Sequence, residues 1–469
     1  MEKPSTVKTI LEPAKEIKVC RETDVVVVGG GPGGVASAIC AARNGANVVL
    51  IERYGHLGGM ASGGLVNIIP NLSEINGKQR IAGLCQEIID RLDARGAADF
   101  PREEDWGTTN IKVVGRYSKA NLGRFYIRKD LNISQERVLY TALVDPEVLK
   151  DELNTMVTEA GVKLYLHSWG VQPIMDGKTV KGVIFESKSG RQAVLAKILI
   201  DSTGDGDLLI PAGVECSTDI SPNLRISHLA FAFWMANVDH QKTDRFKEAQ
   251  PQKYAELIQE LTNMGGFTGH FRGLLKDQEH MVWFHPHISS PDQADVEELT
   301  RVDVSGRKRA LMTYNFFKKN IPGFEKCYIS QTAPQLGTTG GRRIIGEYVM
   351  TKEDLTADKV FNDTIAIFPD NDNGEISTKH PSVNVPYRVL VPHSVEGLMV
   401  ACRAFSSDDK INTNFNLIPH CLCFGQAAGT AAAIALKTGV TPRKVNIKEL
   451  QKMLVKQGAF LPENILANL

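Results

Sequence analysis

The sequence predicts an α/β fold: a parallel sheet with flanking helices and a β-meander, interrupted by inserted α+β segments. Three observations predict it. A β-branched run, Asp24-Val-Val-Val-Val28, leads directly into Gly29-Gly-Gly-Pro-Gly-Gly34, the pattern of a buried parallel strand that ends in a tight turn. Further short apolar runs stand at 46–51, 162–166, 196–200 and 398–401, each entered from Gly or left through Asp. The long stretches 71–140 and 216–385 lack such alternation.

Taken in order, the elements build one ligand site. Residues 35–44 form a small-residue helix closed by Gly45, and 46–51 form a second strand ending at Glu52. Together they make a βαβ unit with GxGxxG at Gly29, Gly31 and Gly34, the Rossmann-type dinucleotide fingerprint. Gly29 permits the turn out of the strand, Gly31 lets a pyrophosphate approach the backbone, and Gly34 lets helix and strand pack closely. The helix N-terminus offers N–H groups and positive dipole charge to phosphates. Glu52 is placed to accept hydrogen bonds from a ribose 2′-OH. A second glycine-rich stretch, Gly58-Gly-Met-Ala-Ser-Gly-Gly64, follows closely. It suits a cofactor whose far half runs past the first loop, and FAD meets that better than NAD. A flexible surface loop is the alternative for this stretch taken alone.

Asp145-Pro146 reads as an N-cap with Pro in the first turn of a helix that Gly161 ends. Residues 162–166 follow as a strand, 170–188 as a hairpin around Asp176-Gly177, and 196–200 as a buried strand running into Asp201-Ser-Thr-Gly-Asp-Gly-Asp-Leu208. Polar helical segments are expected at 244–263 and 295–320. Near the C-terminus, strand 398–401 is followed by Cys402-Arg403 and an Asn-rich loop. Pro419 then precedes Gly425-Gln-Ala-Ala-Gly-Thr-Ala-Ala-Ala433. That run is expected to be a helix whose N-terminus faces a flavin near N1 and the C2 carbonyl; an Ala-rich core helix is the alternative. The tail reads as one amphipathic helix around Leu450 and Leu454 with a loose end. The expected division is a discontinuous FAD-binding domain (18–70, 141–215 and 386–445), a substrate or cap domain (71–140 and 216–385) and a C-terminal helix and tail (446–469).

Composition narrows the function. Hydrophobic residues make up 42 % of the 469 and charged residues 23 %, an ordinary globular balance. Lys plus Arg and Asp plus Glu are 54 each, and this zero balance argues against a nucleic-acid binder. The eight Cys are scattered without a CxxC pair, so neither a disulfide scaffold nor a zinc ribbon is favoured. Cys421 and Cys423 read as small buried residues near a helix start. His285 and His287 flank a proline, but no third ligand stands near, so no metal is expected. No signal-like start and no long apolar run is apparent, and a cytoplasmic location without membrane contact is the expectation.

The ordered segments DVVVVGGGPGGVASA, IER, LGGMASGG, DSTGDGD, GRRIIGEYV, VPYRVLVP, GLMVACR and GQAAGTAAA together resemble the FAD-dependent oxidoreductase family with the glutathione reductase-type nucleotide fold, distantly similar to succinate dehydrogenase and fumarate reductase flavoproteins. The resemblance spans roughly residues 20–460. It implies that Gly29, Gly31, Gly33 and Gly34 hold the pyrophosphate and that Glu52 and Arg53 hold the adenosine ribose. Gly58, Gly59 and Met60 then lie along the cofactor towards the flavin, and the Val171 main chain reads the adenine edge. Thr203, Gly204 and Asp205 sit beside the adenosine half, and Gly425 and Gln426 open the helix facing the isoalloxazine. Two departures stand out: Cys402 where the family usually has Gly, and Gly337-Thr-Thr-Gly-Gly ahead of Arg342 and Arg343 where many members carry Arg-Glu. The spacing of His56 to the glycines differs from the succinate dehydrogenase pattern of covalent flavin attachment.

Because a flavin carries the redox step, substrate handling should fall to side chains near its ring. Arg342, Arg343, Tyr387, Arg388 and His420 are the candidates. Paired arginines suit planar anions and His420 could move a proton; structural ion pairs and a structural imidazole are the plainer roles. The absence of CxxxxC, of a second GxGxxG and of Cys clusters disfavours a disulfide reductase, an integral NAD(P)H domain and an iron–sulfur subunit. The expected function is hydride transfer between a small organic substrate and flavin N5, with a separate electron donor or acceptor and with homo-oligomers compatible. An FAD-dependent monooxygenase and a non-catalytic flavin-binding structural or sensory protein are the alternatives.

Overall fold

The computed structural model describes residues 9–118, 125–130, 134–273, 275, 278–357, 359–369 and 381–469; the remainder of the expected cap segments and residues 1–8 lie outside the described residues. The chain opens on the strand Lys18–Val28, turns at Gly29, and enters the helix Pro32–Arg43 with Pro32 in its first turn. Val48–Ile51 then pairs parallel to the first strand, and Lys163–Tyr165 lies parallel beyond it. On the other side the first strand pairs parallel with Gly190–Asp201. That twelve-residue strand serves two sets of neighbours. Its first half pairs antiparallel with Thr179–Ser187, the second strand of the meander begun by Trp169–Asp176. Its last three residues pair parallel with Leu398–Val400.

This register sets the site. Val28 stands opposite Ile51 and Asp201, and Asp201 opposite Val400, so residues 29, 52, 202 and 401 emerge together at the carboxyl edge of the sheet. The chain reverses direction of winding there, which is where open α/β sheets bind ligands. Beneath that edge, Pro32–Arg43 packs along the long helix Ile418–Thr438. Gly425 and Gly429 make the approach close: a methyl group on either would overlap the Gly33 or the Ser37 carbonyl. Ile418–Thr438 is the helix, among the described residues, long and apolar enough by itself to cross a bilayer, and 89 % of its most apolar window is buried inside the protein.

A second layer carries its own core. Phe233, Val282, Phe284, Ala310 and Phe317 belong to one apolar cluster, and Tyr126, Trp234 and Trp283 to another on the opposite face. The strand alternation divides them, because Phe284 and Trp283 point to opposite sides. Its long helix is Val296–Asn320, capped by the Asp295 carboxylate, as the spacing predicts. The expected helical segment 244–263 is instead two helices, His240–Ala249 and Pro251–Asn263. Pro251 lacks the N–H to continue the first and starts the second.

Packing also redraws the expected boundaries. The helix Leu84–Asp93 lies within 71–140, yet Leu84, Ile88 and Leu92 join the core around the nucleotide sheet, as do Ile365, Phe368 and Val385 from 216–385. The tail helix Ile447–Lys456 buries Leu450 and Leu454 in the same core. The last residues are not wholly loose, since the short helix Glu463–Leu466 buries Ile465.

Candidate active site

A cleft of about 410 Å³ opens on the carboxyl edge of the sheet and continues between the two layers. At its centre lies the glycine turn. Gly29 has φ +99°, and a Cβ there would strike the Ser202 carbonyl, so both conformation and space require glycine. Gly33 and Gly34 are closed by protein: a methyl group on Gly33 would overlap the Ala401 carbonyl, and on Gly34 the Gly29 carbonyl. Gly31 differs. Its backbone is extended, and a methyl group added there would find the Gly59 Cα as its nearest atom, at 4.0 Å. The space beside Gly31 is cleft, at the N-terminus of Pro32–Arg43, where an anion gains most from the helix dipole.

One end of the cleft is formed by Glu52, Arg53, Tyr54, Ser168, Trp169 and Gly170. The Glu52 carboxylate accepts from Gly30 N at 2.5 Å and from Tyr54 N at 2.7 Å, which fixes it at the strand end. Burial outweighs these donors and raises its pKa. The Arg53 guanidinium lies over the Tyr54 and Trp169 rings and 3.8 Å from Asp207. Val171 does not line the cleft; Trp169 and Gly170 do. Replacing Glu52 with Ala should weaken FAD binding by roughly 1.5–3 kcal/mol, because a charged acceptor is lost and two backbone donors are left unpaired. Flavin titration of the apoprotein measures it, and an unchanged affinity would remove Glu52 from the site.

The Asp201 carboxylate shapes the next wall. It accepts from Thr203 N, Thr203 Oγ1 and Leu208 N, curling the loop so that Thr203, Gly204 and Asp207 face the cleft. Asp205 points elsewhere: it pairs with Arg403 at 2.5 Å and accepts from Thr338 Oγ1. It therefore positions Arg403, which lines the cleft. Burial, then repulsion from Asp205 and Asp201, raises the Asp207 pKa to about 6. A folded-state pKa above the unfolded value means the folded chain binds the proton more tightly, so stability is lost as pH rises from about 4 to about 6. Asp207→Asn should therefore stabilise the apoprotein at pH 7 by roughly 1 kcal/mol, after allowing for solvent in the cleft, and the gain should vanish near pH 4. Melting curves across that range test it, and a gain independent of pH would contradict it.

Further along, Gly59 and Met60 line the cleft, whereas Gly58 lies behind them with its N–H on the Gly30 carbonyl at 2.8 Å. Across from them stands the start of Ile418–Thr438: Leu417, Ile418 and Cys421 face the cleft. Here the expectation for Gly425 and Gln426 is corrected. The helix starts at Ile418 with Pro419 inside its first turn, so Gly425 is two turns in and packs on Gly33. Gln426 is buried and bonded to Leu84 N and Gln457. The dipole-bearing end still faces the cleft, carried by other residues. Cys402 is buried at the cleft wall, and burial holds its thiol protonated; burial likewise pushes the Cys421 thiol up to about 12.

The expected substrate-handling residues do not gather here. Tyr387 is buried and donates to the Pro442 carbonyl at 2.9 Å, while Arg388 pairs with Asp363 at 2.9 Å; both line a different cavity. Arg343 is buried and donates to the Ser407 and Asp219 carbonyls and to Ser217 Oγ. Arg342 does not line the cleft; it donates to the Asp205 carbonyl at 3.2 Å and lies 3.9 Å from the carboxylate of Asp207, which does. His420 is fully buried; its Nδ1 accepts from Leu417 N, and it packs on Phe368 and Phe415. Burial and the nearby Arg225 charge lower its pKa to about 3, so it stays neutral and caps the helix. Structural partners use these groups, except His420 Nε2, which is buried without a hydrogen-bond partner.

Other residues line the far end of the cleft: Arg225, Trp283, His285, His287, Thr338 and Thr339. Arg225 Nη2 donates to the Thr413 carbonyl and, at 2.5 Å, to Asn416 Oδ1. Asn416 Nδ2 in turn donates to the Thr339 carbonyl at 2.5 Å. The Gly337–Thr338 strand and the following loop thus bridge the second layer to the helix start. Period-two alternation from Trp283 through His287 is the signal in the sequence for this face, obscured by the intervening Pro286.

Strand edge, open glycine, helix N-terminus and a long cleft between two layers define a dinucleotide-binding oxidoreductase fold. A model described as FAD dependent oxidoreductase matches residues 24–454, and the chain belongs to that family. It is an FAD-dependent enzyme, and the open space at Gly31 beside a helix N-terminus fits that cofactor. The chain is 29 % identical over 183 residues to digeranylgeranylglycerophospholipid reductase 2 of Methanopyrus kandleri, 39 % of this chain and 38 % of that protein. It is 28 % identical over 139 residues to glutathione reductase of Schizosaccharomyces pombe, 28 % of this chain and 27 % of that one. The matches span well under half the length of these relatives. Among solved structures, a geranylgeranyl bacteriochlorophyll reductase-like protein of Thermoplasma acidophilum overlays 96 % of this chain and 90 % of its own with a TM-score of 0.45 at 15 % identity.

Proposed function

We propose that this enzyme transfers a hydride between a small organic substrate and flavin N5, with a separate electron donor or acceptor completing the cycle. When bound, FAD supplies the two-electron centre. The observation that carries the reading is the continuity of one cleft, from the glycine turn past the start of Ile418–Thr438 to a chamber walled by the second layer. Gly31 and the N-terminus of Pro32–Arg43 take the pyrophosphate. Glu52, Arg53 and the Thr203–Gly204 backbone hold the adenosine half. The first turn of Ile418–Thr438 places positive potential beside the ring, where reduction builds negative charge. The second layer walls the far end.

Anaerobic mixing of the flavin-loaded enzyme with a panel of small acids, alcohols, amines and enoates tests this. Bleaching by a reduced substrate, or reoxidation of the reduced enzyme by an oxidised one, is expected. Substrate-dependent oxygen consumption with a hydroxylated product would replace the reading with a monooxygenase.

A further inference from the structure

The far end of the cleft has a composition that the cofactor does not explain. Trp283 in the strand Val282–Phe284, His285 in the link after it and His287 at the start of the strand His287–Ser289 stack in sequence. The Trp283 and His285 rings lie 4.9 Å apart at 12°, and the His285 and His287 rings 4.8 Å apart, edge to face. Phe271 stands 5.2 Å from both Trp283 and Phe125, extending the aromatic wall. All five rings line the cleft. Trp283 Nε1 and His285 Nε2 are buried without a hydrogen-bond partner, which is costly unless a bound group compensates. The rings are fixed by stacking on one another, so the chamber presents flat faces rather than a flexible apolar surface.

Charge is placed on one side of this box. Among the described residues, the charged or titratable groups acting on the two imidazoles are Arg225, His228 and each other. No carboxylate is among them. Burial lowers both imidazoles; His287 and then Arg225 add to it at His285, and Arg225 and then His228 at His287, which falls to about 4, so each is neutral near pH 7. His287 nonetheless keeps surface open to solvent where it meets the cleft.

We propose that this chamber selects a planar, conjugated organic anion, its flat body against Phe125, Phe271 and Trp283 and its anionic group towards Arg225 and His287. The proposal rests on the oxidoreductase reading only in placing this ligand beside the flavin. Stacking favours a π-system over a saturated chain of equal size. A cationic guanidinium and imidazole N–H groups favour an anion over a neutral amide. Anion binding must also raise the affinity of the imidazoles for protons, since opposite charge favours the protonated form. Ligand binding is therefore coupled to proton uptake, and affinity rises as pH falls from neutrality until the ligand's own carboxylate begins to protonate.

Calorimetric titration of the FAD-loaded enzyme with cinnamate, 3-cyclohexylpropanoate and cinnamamide, in two buffers of different ionisation enthalpy, tests the proposal. Cinnamate should bind about tenfold or more tightly than either comparator, with net proton uptake. His287→Asn should reduce the proton uptake, and Trp283→Leu should erase the preference over the saturated acid while leaving FAD bound. Equal affinity for the saturated acid or the amide, or binding of cinnamate without proton uptake, overturns the proposal. A protein that fails to take up FAD at all instead overturns the reading beneath it, and its visible spectrum separates the two failures.

Discussion

Gly31→Ala is expected to leave the fold intact and to weaken FAD binding ~100-fold, about 3 kcal/mol. The backbone at Gly31 is extended and within reach of alanine, and no protein atom lies closer than 4.0 Å to the added methyl. Loss of stability should stay below about 1 kcal/mol, the difference between Gly and Ala at a helix N-cap. The methyl projects into the cleft where the pyrophosphate approaches the helix N-terminus, and the backbone carrying it is held by Gly29 and by Val35 N on the Gly31 carbonyl at 2.9 Å. A ligand that needs close backbone contact cannot shift away without losing those amides. Gly33→Ala is the informative control: its methyl would meet the Ala401 carbonyl, so it should damage folding first. Thermal melting with flavin titration separates the two, and normal FAD affinity in Gly31→Ala would show that the phosphates lie elsewhere.

Gly425→Ala is expected to give a large loss of stability, about 3 kcal/mol and roughly 5 °C in melting temperature, although Gly425 does not touch the cleft. Its added methyl would overlap the Gly33 carbonyl and Ala36 Cβ. Both belong to the helix that starts at the glycine turn. Two helix backbones meet here at close range, and a backbone carbonyl cannot rotate aside as a side chain can. The clash must separate the helices, and separation moves Gly33 and the turn with it. FAD affinity should therefore fall along with stability, in contrast to Gly31→Ala. A melting temperature unchanged in Gly425→Ala would mean that the two helices pack less closely than this.

Legibility in the sequence follows the range of the interactions. The strand, glycine turn, helix and second strand at 24–52 are readable because each rests on neighbours in the chain: β-branched residues before the turn, Pro32 in the first helical turn, Glu52 at the next strand end. The strand Leu398–Val400 and the cap at Asp145 are readable for the same reason. The start of Ile418–Thr438 is not, because the Gly425–Ala433 run looks like a beginning, whereas its glycines serve a close helix contact that no local pattern announces. The catalytic candidates fail on range as well. Tyr387 and Arg388 suggest a site by residue type alone, but the Pro442 carbonyl and Asp363, far away in the chain, take up their polar groups.

The sequence by itself determined the nucleotide grip and hence the class of chemistry, because phosphate recognition uses backbone N–H groups at a strand–helix junction and only a few spacings build one. The tertiary structure alone decided what lines the far end of the cleft. Arg225 and the run from Trp283 to His287 come from two separate segments of the second layer, and their common chamber exists only once strand pairing and helix packing bring those segments to the edge of the sheet. Burial decided the rest: the same imidazole that acts as a proton carrier in water is held neutral at His420 by the core around it, and is left open to a ligand at His287 by the cleft.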